Sequence, residues 1–556
     1  MHRSRTTRWL GWILFLASGP LAAVETASVF TDHMVLQRRI VVPVWGWAEP
    51  GEDITVAIDQ QVKTAKADQA GRWMVRLDPM EAGEPRTMSV TGRSGSLQFA
   101  DILLGEVWVC SGQSNMAWPL KQALNGKQEV AAANDPELRL FNVPNAMNAT
   151  GPQDRLANDN PNTRMDYCLW RPCSPESASE FSAVAYFMGR DLRQALHVPV
   201  GLISNAVGGS PIAAWISHPA LMADADFKAV AQYYDGLANY VEKTPEGRKD
   251  LADRRAEYDA RQAELRASGK PPLWPQTYAD PMHAWGFGCS LFNALTNPLI
   301  PYAIRGVVWY QGEAEWQWME SYRGILPILI KDWRGRWGQG DFPFLIVQLP
   351  NWSKPSPEPD AGGWATLREG QLLTLKIPNT AMAVTIDVGE AESIHPLDKQ
   401  DVGGRLALAA RGVVYGEKIV YSGPVYRGMK IEGNAIRLSF AQVGSGLMVG
   451  RKLPLQATSE DTAGKLRRFA IAGEDGKWVW GEAVIDRDEV VVSSPNVPKP
   501  VAVRYAWANN PDGCNLYNKE GLPASPFRTD ETTPAPPMAG LFKDRLAKPF
   551  ALPPVK

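Results

Sequence analysis

The chain has 556 residues and an apolar content of 45%, which is too large for one hydrophobic core and predicts about two to four domains. Its 58 basic and 60 acidic side chains are interspersed and give a net charge of -2. This balance excludes the basic surface that nucleic acids or anionic membranes need, and it favours a neutral or weakly charged substrate.

Residues 1–23 have the layout of a secretory signal peptide. Three arginines precede a short apolar run, and small residues follow as far as Ala23. The apolar run is shorter than the about 20 residues that span a bilayer, and no later segment qualifies. We therefore expect residues 1–23 to be removed and the mature protein to be periplasmic or secreted.

Residues 24–99 consist of short β-rich runs separated by turn residues. This spacing is typical of a small antiparallel sandwich, and we expect a scaffold role for it. The runs are Ile40 to Trp47, Ile54 to Ile58, Gly71 to Val75 and Met88 to Thr91.

Residues 100–415 alternate between strands and helical stretches, which predicts a largely parallel α/β sheet. A charged, helix-prone insertion at about 222–268 is expected on its surface. The predicted core strands are Glu106 to Cys110, Val200 to Ser204, Ile304 to Tyr310, Phe344 to Leu349 and Met382 to Asp387.

Residues 416–530 return to β-strand patterns and predict a second β domain. Residues 531–556 form a proline-rich tail. The expected strands are Ile419 to Tyr421, Ile436 to Phe440, Arg468 to Ile471, Trp478 to Trp480, Val490 to Val492 and Ala502 to Trp507.

The five cysteines show no metal-site spacing. Cys168 and Cys173 lie in a polar loop and could form a local disulfide in an oxidising compartment. We expect no metal and no cofactor.

Polar loops follow four of the predicted core strands. Because sites in open parallel sheets form outside the carboxyl ends of the strands, these loops should meet at one edge. They are Gly112 to Met116, Asn205 to Pro211, Gln311 to Glu315 and Asp387 to Pro396.

Ser114 in the first loop is the predicted nucleophile. A serine hydroxyl needs an adjacent base, and imidazole suits that role near neutral pH. Of the six histidines, only His395 lies in a loop after a core strand with carboxylates close by. His395 is therefore the predicted general base.

A carboxylate is expected to orient the imidazole. Glu392 lies three residues before His395 and is the preferred choice, while Asp387, Glu390 and Asp398 are also near. Asp401 fits better as an N-terminal residue of a helix from about Val402 to Val413, where its charge favours the helix dipole. The sequence leaves the choice of acid open.

The oxyanion of a tetrahedral intermediate needs donors that are fixed in advance. The backbone N–H of Ser114, a backbone N–H of the Gly208-Gly209 turn and the side-chain amide of Gln311 could supply them. Met116 stands where the nucleophile elbow of α/β-hydrolases has its second glycine, so that fold is not favoured.

These residues resemble the sialate O-acetylesterase family, whose catalytic domain belongs to the SGNH hydrolases. The resemblance covers nearly the whole mature chain. It rests on Trp108 to Met116, Gly208 to Ile212, Trp309 to Glu313 and Ile394 to Pro396, with further matches at Met34 to Gln37, Tyr505 to Trp507 and Leu522 to Phe527.

The resemblance implies an α/β fold with an SGNH-type parallel-sheet hydrolase domain and accessory antiparallel β-sandwich domains. It also implies an esterase that removes O-acetyl groups from sugars through a serine acyl-enzyme, without a metal. Ser114 matches the family nucleophile, His395 its base, and Gly209 and Gln311 its oxyanion donors. Many SGNH enzymes have aspartate three residues before the histidine, where this chain has Glu392.

The expected partner is an acetylated glycan, either O-acetylated sialic acid or a hemicellulose such as xylan or xyloglucan. Two other functions compete with this one, a non-catalytic carbohydrate-binding protein and a lipase-like acylhydrolase. Four tryptophans near the motifs could be sugar platforms or core residues, namely Trp118, Trp215, Trp316 and Trp318.

Overall fold

The computed structural model describes residues 23–148, 151–156, 168–270, 288–359 and 362–530. Residues 1–22 of the predicted signal peptide and the whole tail 531–556 lie outside this range, so the structure does not bear on them. The described part of the chain is a mixed α/β protein with one large mixed sheet and several antiparallel sheets.

The N-terminal region contains the antiparallel strands that the sequence predicts. β1, β3 and β6 form one sheet, while β4, β5 and β7 form a second sheet with the first part of β8. The strands are β1 (Glu25–Thr26), β2 (Val35–Gln37), β3 (Val42–Trp47), β4 (Asp53–Ile58), β5 (Gln61–Lys66), β6 (Arg72–Leu77), β7 (Arg86–Gly92) and β8 (Gly95–Gly112).

Strand β8 crosses the predicted domain boundary at residues 99–100 without a break. Its first part pairs with β7. Its last seven residues pair in parallel with one strand of the central sheet, and the last five of these also pair in parallel with a second strand. From Ile102 to Gly112 every residue is buried, as expected for a strand that is covered on both faces. The N-terminal sheet and the central sheet therefore share one strand.

The central sheet has the strand order β10-β9-β11-β8-β12-β13-β14. Neighbouring strands are parallel, except that the edge strand β10 is antiparallel to β9. The strands after β8 are β9 (Asp135–Asn142), β10 (Trp170–Cys173), β11 (Val200–Ala206), β12 (Gly306–Tyr310), β13 (Phe344–Val347) and β14 (Thr380–Ala383).

The five predicted core strands are confirmed, with ends that differ by a few residues, but β9 and β10 were not predicted. Only Leu138 to Phe141 of β9 is buried. This run is too short to stand out from its polar surroundings.

Helices cover the central sheet, and the predicted insertion forms α6 and α7. Helix α7 buries only Gly247, Arg254 and Tyr258, which confirms its surface position. None of the described helices is long and apolar enough to cross a bilayer. The helices are α1 (Ser114–Ala117), α2 (Gly126–Ala132), α3 (Pro175–Ser179), α4 (Ala183–Leu196), α5 (His218–Ala223), α6 (Lys228–Lys243), α7 (Pro245–Ala267), α8 (Tyr322–Trp337), α9 (Gly363–Leu373) and α10 (Lys399–Val413).

The C-terminal region forms three antiparallel sheets, with orders β15-β16-β22-β21, β18-β17-β24 and β20-β19-β23-β25. The strands are β15 (Val425–Glu432), β16 (Ala435–Ala441), β17 (Leu447–Arg451), β18 (Ser459–Glu460), β19 (Phe469–Gly473), β20 (Trp478–Trp480), β21 (Glu482–Asp486), β22 (Glu489–Ser493), β23 (Pro500–Tyr505), β24 (Leu516–Asn518) and β25 (Phe527–Arg528).

One predicted strand is not formed, and one possible disulfide is not formed either. Residues 419–421 form a loop and not a strand, because Tyr421 packs against Gly412 of α10 and does not pair with a neighbouring strand. Cys168 and Cys173 are free thiols. Cys173 is buried at the end of β10, and this burial raises its pKa to about 12.

Arg368 of α9 joins the central sheet to the C-terminal region. It is completely buried, and its guanidinium donates to the carbonyl oxygens of Leu349, Pro350, Ala508 and Asn509 at 2.6 to 2.9 Å. Burial lowers the pKa of Arg368 to about 9. All the hydrogen-bond acceptors that the described residues offer it are neutral carbonyls.

We expect Arg368→Met to lower the free energy of unfolding by about 3 kcal/mol or more, because several buried carbonyls lose their donor and each loss costs about 1 to 3 kcal/mol. Urea unfolding measures this change. The matched control is Arg72→Met, whose side chain is 61% exposed and pairs with Asp154; such surface pairs are worth about 1 kcal/mol or less. Equal losses in both variants would contradict the structural role of Arg368.

Candidate active site

Ser114 lies where strand β8 ends. The strand stops at Gly112, which has a φ of +139°, and a Cβ atom there would lie 2.1 Å from the carbonyl oxygen of Tyr310. Glycine is therefore required for the close approach of β8 to β12. The next residue, Gln113, donates its N–H to the same carbonyl at 3.0 Å, and Ser114 begins helix α1.

His395 lies in the loop between β14 and α10, and its Nε2 is 2.8 Å from Ser114 Oγ. The structure thus brings the predicted nucleophile and the predicted base into hydrogen-bond contact. Burial and the positive charge of Lys399 both lower the pKa of His395. The imidazole is therefore neutral, and able to accept a proton, over a wider pH range than a free histidine.

The imidazole stacks on an indole ring. The centroids of the Trp118 and His395 rings are 4.9 Å apart, with an angle of 23° between the ring planes. Within the described residues, no carboxylate lies within ion-pair distance of His395. The ring is held by its stacking partner and by the loop that carries it.

The expected contact between Glu392 and His395 is not formed. Glu392 is exposed, and it makes no hydrogen bond or ion pair with the described residues. It projects into solvent because the turn at Ser393, whose hydroxyl accepts the N–H of His395 at 3.1 Å, separates the two side chains.

The other acids near the loop have different partners. Asp387 forms a two-fold hydrogen bond with Arg405 at 2.6 and 2.8 Å and accepts from Tyr517. Glu390 accepts the N–H of Leu397, and Asp398 caps helix α10. Asp401 lies in the first turn of that helix, as predicted.

Two sets of backbone donors, at Ser114 and at the Gly208-Gly209 turn, belong to the loops that meet at the nucleophile. The N–H of Ser114 and those of Gly208 and Gly209 make no hydrogen bond within the described residues. Gly208 lies close to the nucleophile, since a Cβ built on it would lie 3.5 Å from Ser114 Cβ. Gly209 has a φ of +71° and forms the turn itself.

The expected oxyanion contact from the Gln311 side chain is not supported. Gln311 is completely buried, and its Nε2 donates to the Ser210 carbonyl at 3.2 Å and to Glu315 at 3.1 Å. Tyr322 donates to its Oε1. Both N–H groups of the amide therefore have partners within the protein. Through its hydrogen bond to the Ser210 carbonyl, Gln311 supports the glycine turn instead.

Glu315 completes this brace. It accepts the N–H of Ile212 at 2.6 Å in addition to the Gln311 amide. Burial raises the pKa of Glu315 to about 7. The loop after β12 thus fixes the loop after β11, which carries the glycine donors.

A buried polar cluster that the sequence did not predict lies behind the nucleophile. Asn115 donates to Glu313 and to the carbonyl of Ile394, and it accepts from Lys399. Asn115 and Glu313 belong to the motifs found in the sequence, whereas Lys399 is an ordinary lysine at a helix start. No sequence pattern indicates its complete burial.

The four tryptophans near the motifs have different environments. Trp215 is completely buried and donates to Ser210, so it is a core residue. Trp118 stacks on His395. Trp316 is 61% exposed and remains available to a ligand, while Trp318 is partly buried.

No group of three or more His, Cys, Asp or Glu side chains is arranged to hold a metal ion in the part of the chain that the structure describes. The polar groups around Ser114 are a hydroxyl, an imidazole and backbone amides. This set suits nucleophilic attack on an acyl carbon.

Comparisons with known proteins agree with this chemistry. Residues 285–410 match the family model described as carbohydrate esterase, sialic acid-specific acetylesterase. Sialate O-acetylesterase of Mus musculus is 30% identical over 545 residues, covering 90% of this chain and 93% of the mouse protein. The protein of the same name from Homo sapiens is 29% identical, covering 90% of this chain and 91% of the human protein.

A solved structure extends the agreement to three dimensions. The crystal structure of a carbohydrate acetylesterase from Xanthomonas citri is 37% identical in sequence and superposes with a TM-score of 0.75. It covers 92% of this chain and 100% of its own. The chain therefore belongs to the sialate O-acetylesterase family and is a carbohydrate O-acetylesterase.

Proposed function

We propose that the protein removes O-acetyl groups from glycans through an acyl-enzyme on Ser114. The observation that carries this proposal is the 2.8 Å contact between Ser114 Oγ and His395 Nε2. His395 takes the hydroxyl proton as Oγ attacks the acetyl carbonyl, and it returns that proton to the sugar oxygen that leaves. Water, activated by the same imidazole, then releases acetate from Ser114.

Backbone amides stabilise the oxyanion in this mechanism. The N–H of Ser114 and an N–H of the Gly208-Gly209 turn supply the donors, and each such donor is worth about a hundred-fold or more in rate. The nucleophile follows β8, the glycine turn follows β11 and the base follows β14. This order supports an SGNH-type assignment for the catalytic region.

Burial and Lys399 lower the pKa of His395, so the imidazole is neutral and able to accept a proton without a carboxylate partner. Stacking on Trp118 holds the plane of the ring. We therefore propose that Ser114 and His395 act as a pair. With residues 1–23 as its signal peptide, the enzyme works in the periplasm or outside the cell.

The charge beside the site favours an uncharged sugar as substrate. The exposed Glu392 lies three residues from the base and is not neutralised by a described residue, so it repels the carboxylate of a sialic acid. Trp316, on the loop after β12, offers an apolar ring to a sugar face. Acetylated xylan or xyloglucan fits these features better than a sialoside.

Ser114→Ala should lower kcat/KM for acetate release by roughly ten-thousand-fold or more, because the nucleophile is lost. The matched control is Ser111→Ala, which removes a buried hydroxyl that lacks a hydrogen-bond partner in the described residues and should leave the rate nearly unchanged. Mass spectrometry of the quenched reaction should show one acetyl group on the unaltered enzyme only. Full activity of Ser114→Ala would disprove the mechanism.

Glu392→Gln should change kcat/KM on an uncharged acetyl ester by less than about three-fold, since an isolated surface substitution is usually worth about 0.5 kcal/mol or less. Steady-state kinetics beside His395→Gln, which should be almost inactive, gives the comparison. A hundred-fold loss in Glu392→Gln would instead assign Glu392 as the acid that orients His395.

A panel of substrates tests the sugar class. Acetylated xylan and xyloglucan oligosaccharides should give a higher kcat/KM than O-acetylated sialosides, and the difference should shrink as salt screens Glu392. Faster cleavage of sialosides would overturn the preference for uncharged sugars. Faster cleavage of long-chain esters than of acetyl sugars would indicate a lipase-like acylhydrolase.

A further inference from the structure

We propose that Lys399, Asn115 and Glu313 form a buried positioning unit that fixes His395 against Ser114, which is the orienting part of the role that a carboxylate has in a catalytic triad. The inference rests on the proposed roles of Ser114 and His395. We call these three residues the Lys399 cluster. None of them touches the reacting atoms, so each acts through the base or through the turn that carries the nucleophile.

The amide of Asn115 ties the nucleophile turn to the base loop. Asn115 directly follows Ser114, and its Nδ2 donates at 3.0 Å to the carbonyl oxygen of Ile394, the residue before His395. The second N–H of this amide is taken by Glu313. One side chain thus connects the backbone beside the nucleophile with the backbone beside the base.

Lys399 determines which way this amide points. An ammonium group can only donate hydrogen bonds, whereas a carbonyl and a carboxylate accept them. The protonated Lys399 Nζ contacts the Oδ1 of Asn115, so the Nδ2 faces Ile394 and Glu313 as long as Lys399 keeps its charge. A rotated amide would set donor against donor at Lys399 and acceptor against acceptor at Ile394.

The cluster is closed to solvent. Lys399 and Asn115 are completely buried, and Glu313 is 5% exposed. Burial lowers the pKa of Lys399 to about 7 and raises that of Glu313. One oxygen of Glu313 has no hydrogen-bond partner within the described residues. Such polar groups cost free energy to bury. Their presence here is explained if they hold His395 in a fixed position relative to Ser114.

Lys399 also lies near the aromatic ring that stacks on His395. Its Nζ lies 5.8 Å from the ring centroid of Trp118 and 5.5 Å from that of Tyr310. Trp118 in turn stacks on His395. The cluster therefore contacts both the backbone and, through one indole, the ring of His395.

The charged groups around the base determine the pH response. Lys399 faces His395 from the start of α10, and its positive charge adds to burial in lowering the pKa of His395. Glu313, Glu390 and Asp398 face Lys399 and oppose the loss of its charge. Glu392 lies on the base loop but is exposed to solvent. Removing the lysine charge should thus raise the pKa of His395.

The test is the pH profile of kcat/KM for an uncharged acetyl ester with Lys399→Met, which keeps the length of the side chain. In the unaltered enzyme the rate should fall with decreasing pH only below the ordinary pKa of histidine, because protonation of His395 abolishes the base. In Lys399→Met this fall should move to higher pH. The plateau kcat should drop roughly 100-fold from misplacement of the base, with little change in KM.

The matched control is Lys452→Met. Lys452 is also a largely buried lysine, and it pairs with Asp401 of the same helix, but it makes no contact with the Lys399 cluster. The Lys452→Met substitution should leave kcat unchanged, and it should also leave unchanged the fall of kcat/KM at low pH, which we call the acid limb. Asn115→Asp provides a second variant of equal size, in which the donor to Ile394 becomes an acceptor, and kcat should drop at least as far while Lys399 is retained.

Thermal unfolding of each variant identifies those that fold. A folded Lys399→Met enzyme with normal kcat and an unmoved acid limb would overturn the proposal. A lower kcat without movement of the acid limb would also overturn it, because that result indicates a merely structural role. If Lys399→Met does not fold, normal kcat in Asn115→Asp overturns it. Activity in Ser114→Ala would refute the proposed function separately.

Discussion

The parallel pairing of β8 with β11 and β12 is the constraint on which the site depends. Gly112, at the end of β8, pairs with Ala206 on one side and with Tyr310 on the other. This register sets the ends of three buried strands at one level. A shift by one residue would turn every side chain of β8 to the opposite face of the sheet. The loops that carry the nucleophile, the glycine turn and Gln311 therefore begin side by side at the same edge of the sheet.

Buried polar groups then connect the loops at this edge. Glu315 holds the glycine turn, Arg368 holds the loop after β13, and Asn115 holds the base loop. Each of these groups is costly to remove from water, and each is compensated by several hydrogen bonds. Loops without regular structure are thereby held by hydrogen bonds from buried side chains, as the strands before them are held by hydrogen bonds to their neighbours. Among the described residues, no carboxylate contacts His395, although such a site ordinarily has an acid behind its histidine.

The sequence predicted the strands that are buried throughout, because their apolar runs are unmistakable. It also predicted the contact between Ser114 and His395, since each lies at the carboxyl end of a core strand. It failed for β9, whose buried run from Leu138 to Phe141 is too short to stand out, and for residues 419–421, where Tyr421 packs on a helix. It also assigned Gln311 to the oxyanion, although the amide faces Glu315. Side-chain direction within a buried loop depends on tertiary contacts that spacing in the sequence does not encode.

The continuity of β8 has a mechanical consequence. Ser114 lies directly after the end of β8. The first part of this strand pairs with β7 in the N-terminal sheet, and its last part pairs with β11 and β12. His395 lies on a loop that is secured by side-chain hydrogen bonds, from Asn115 to the Ile394 carbonyl and from the Leu397 N–H to Glu390. Both reacting side chains are therefore held in place in the free enzyme, Ser114 by strand pairing and His395 by buried polar contacts. Binding of the glycan consequently has to position only the acetyl group against a reactive pair that is already assembled.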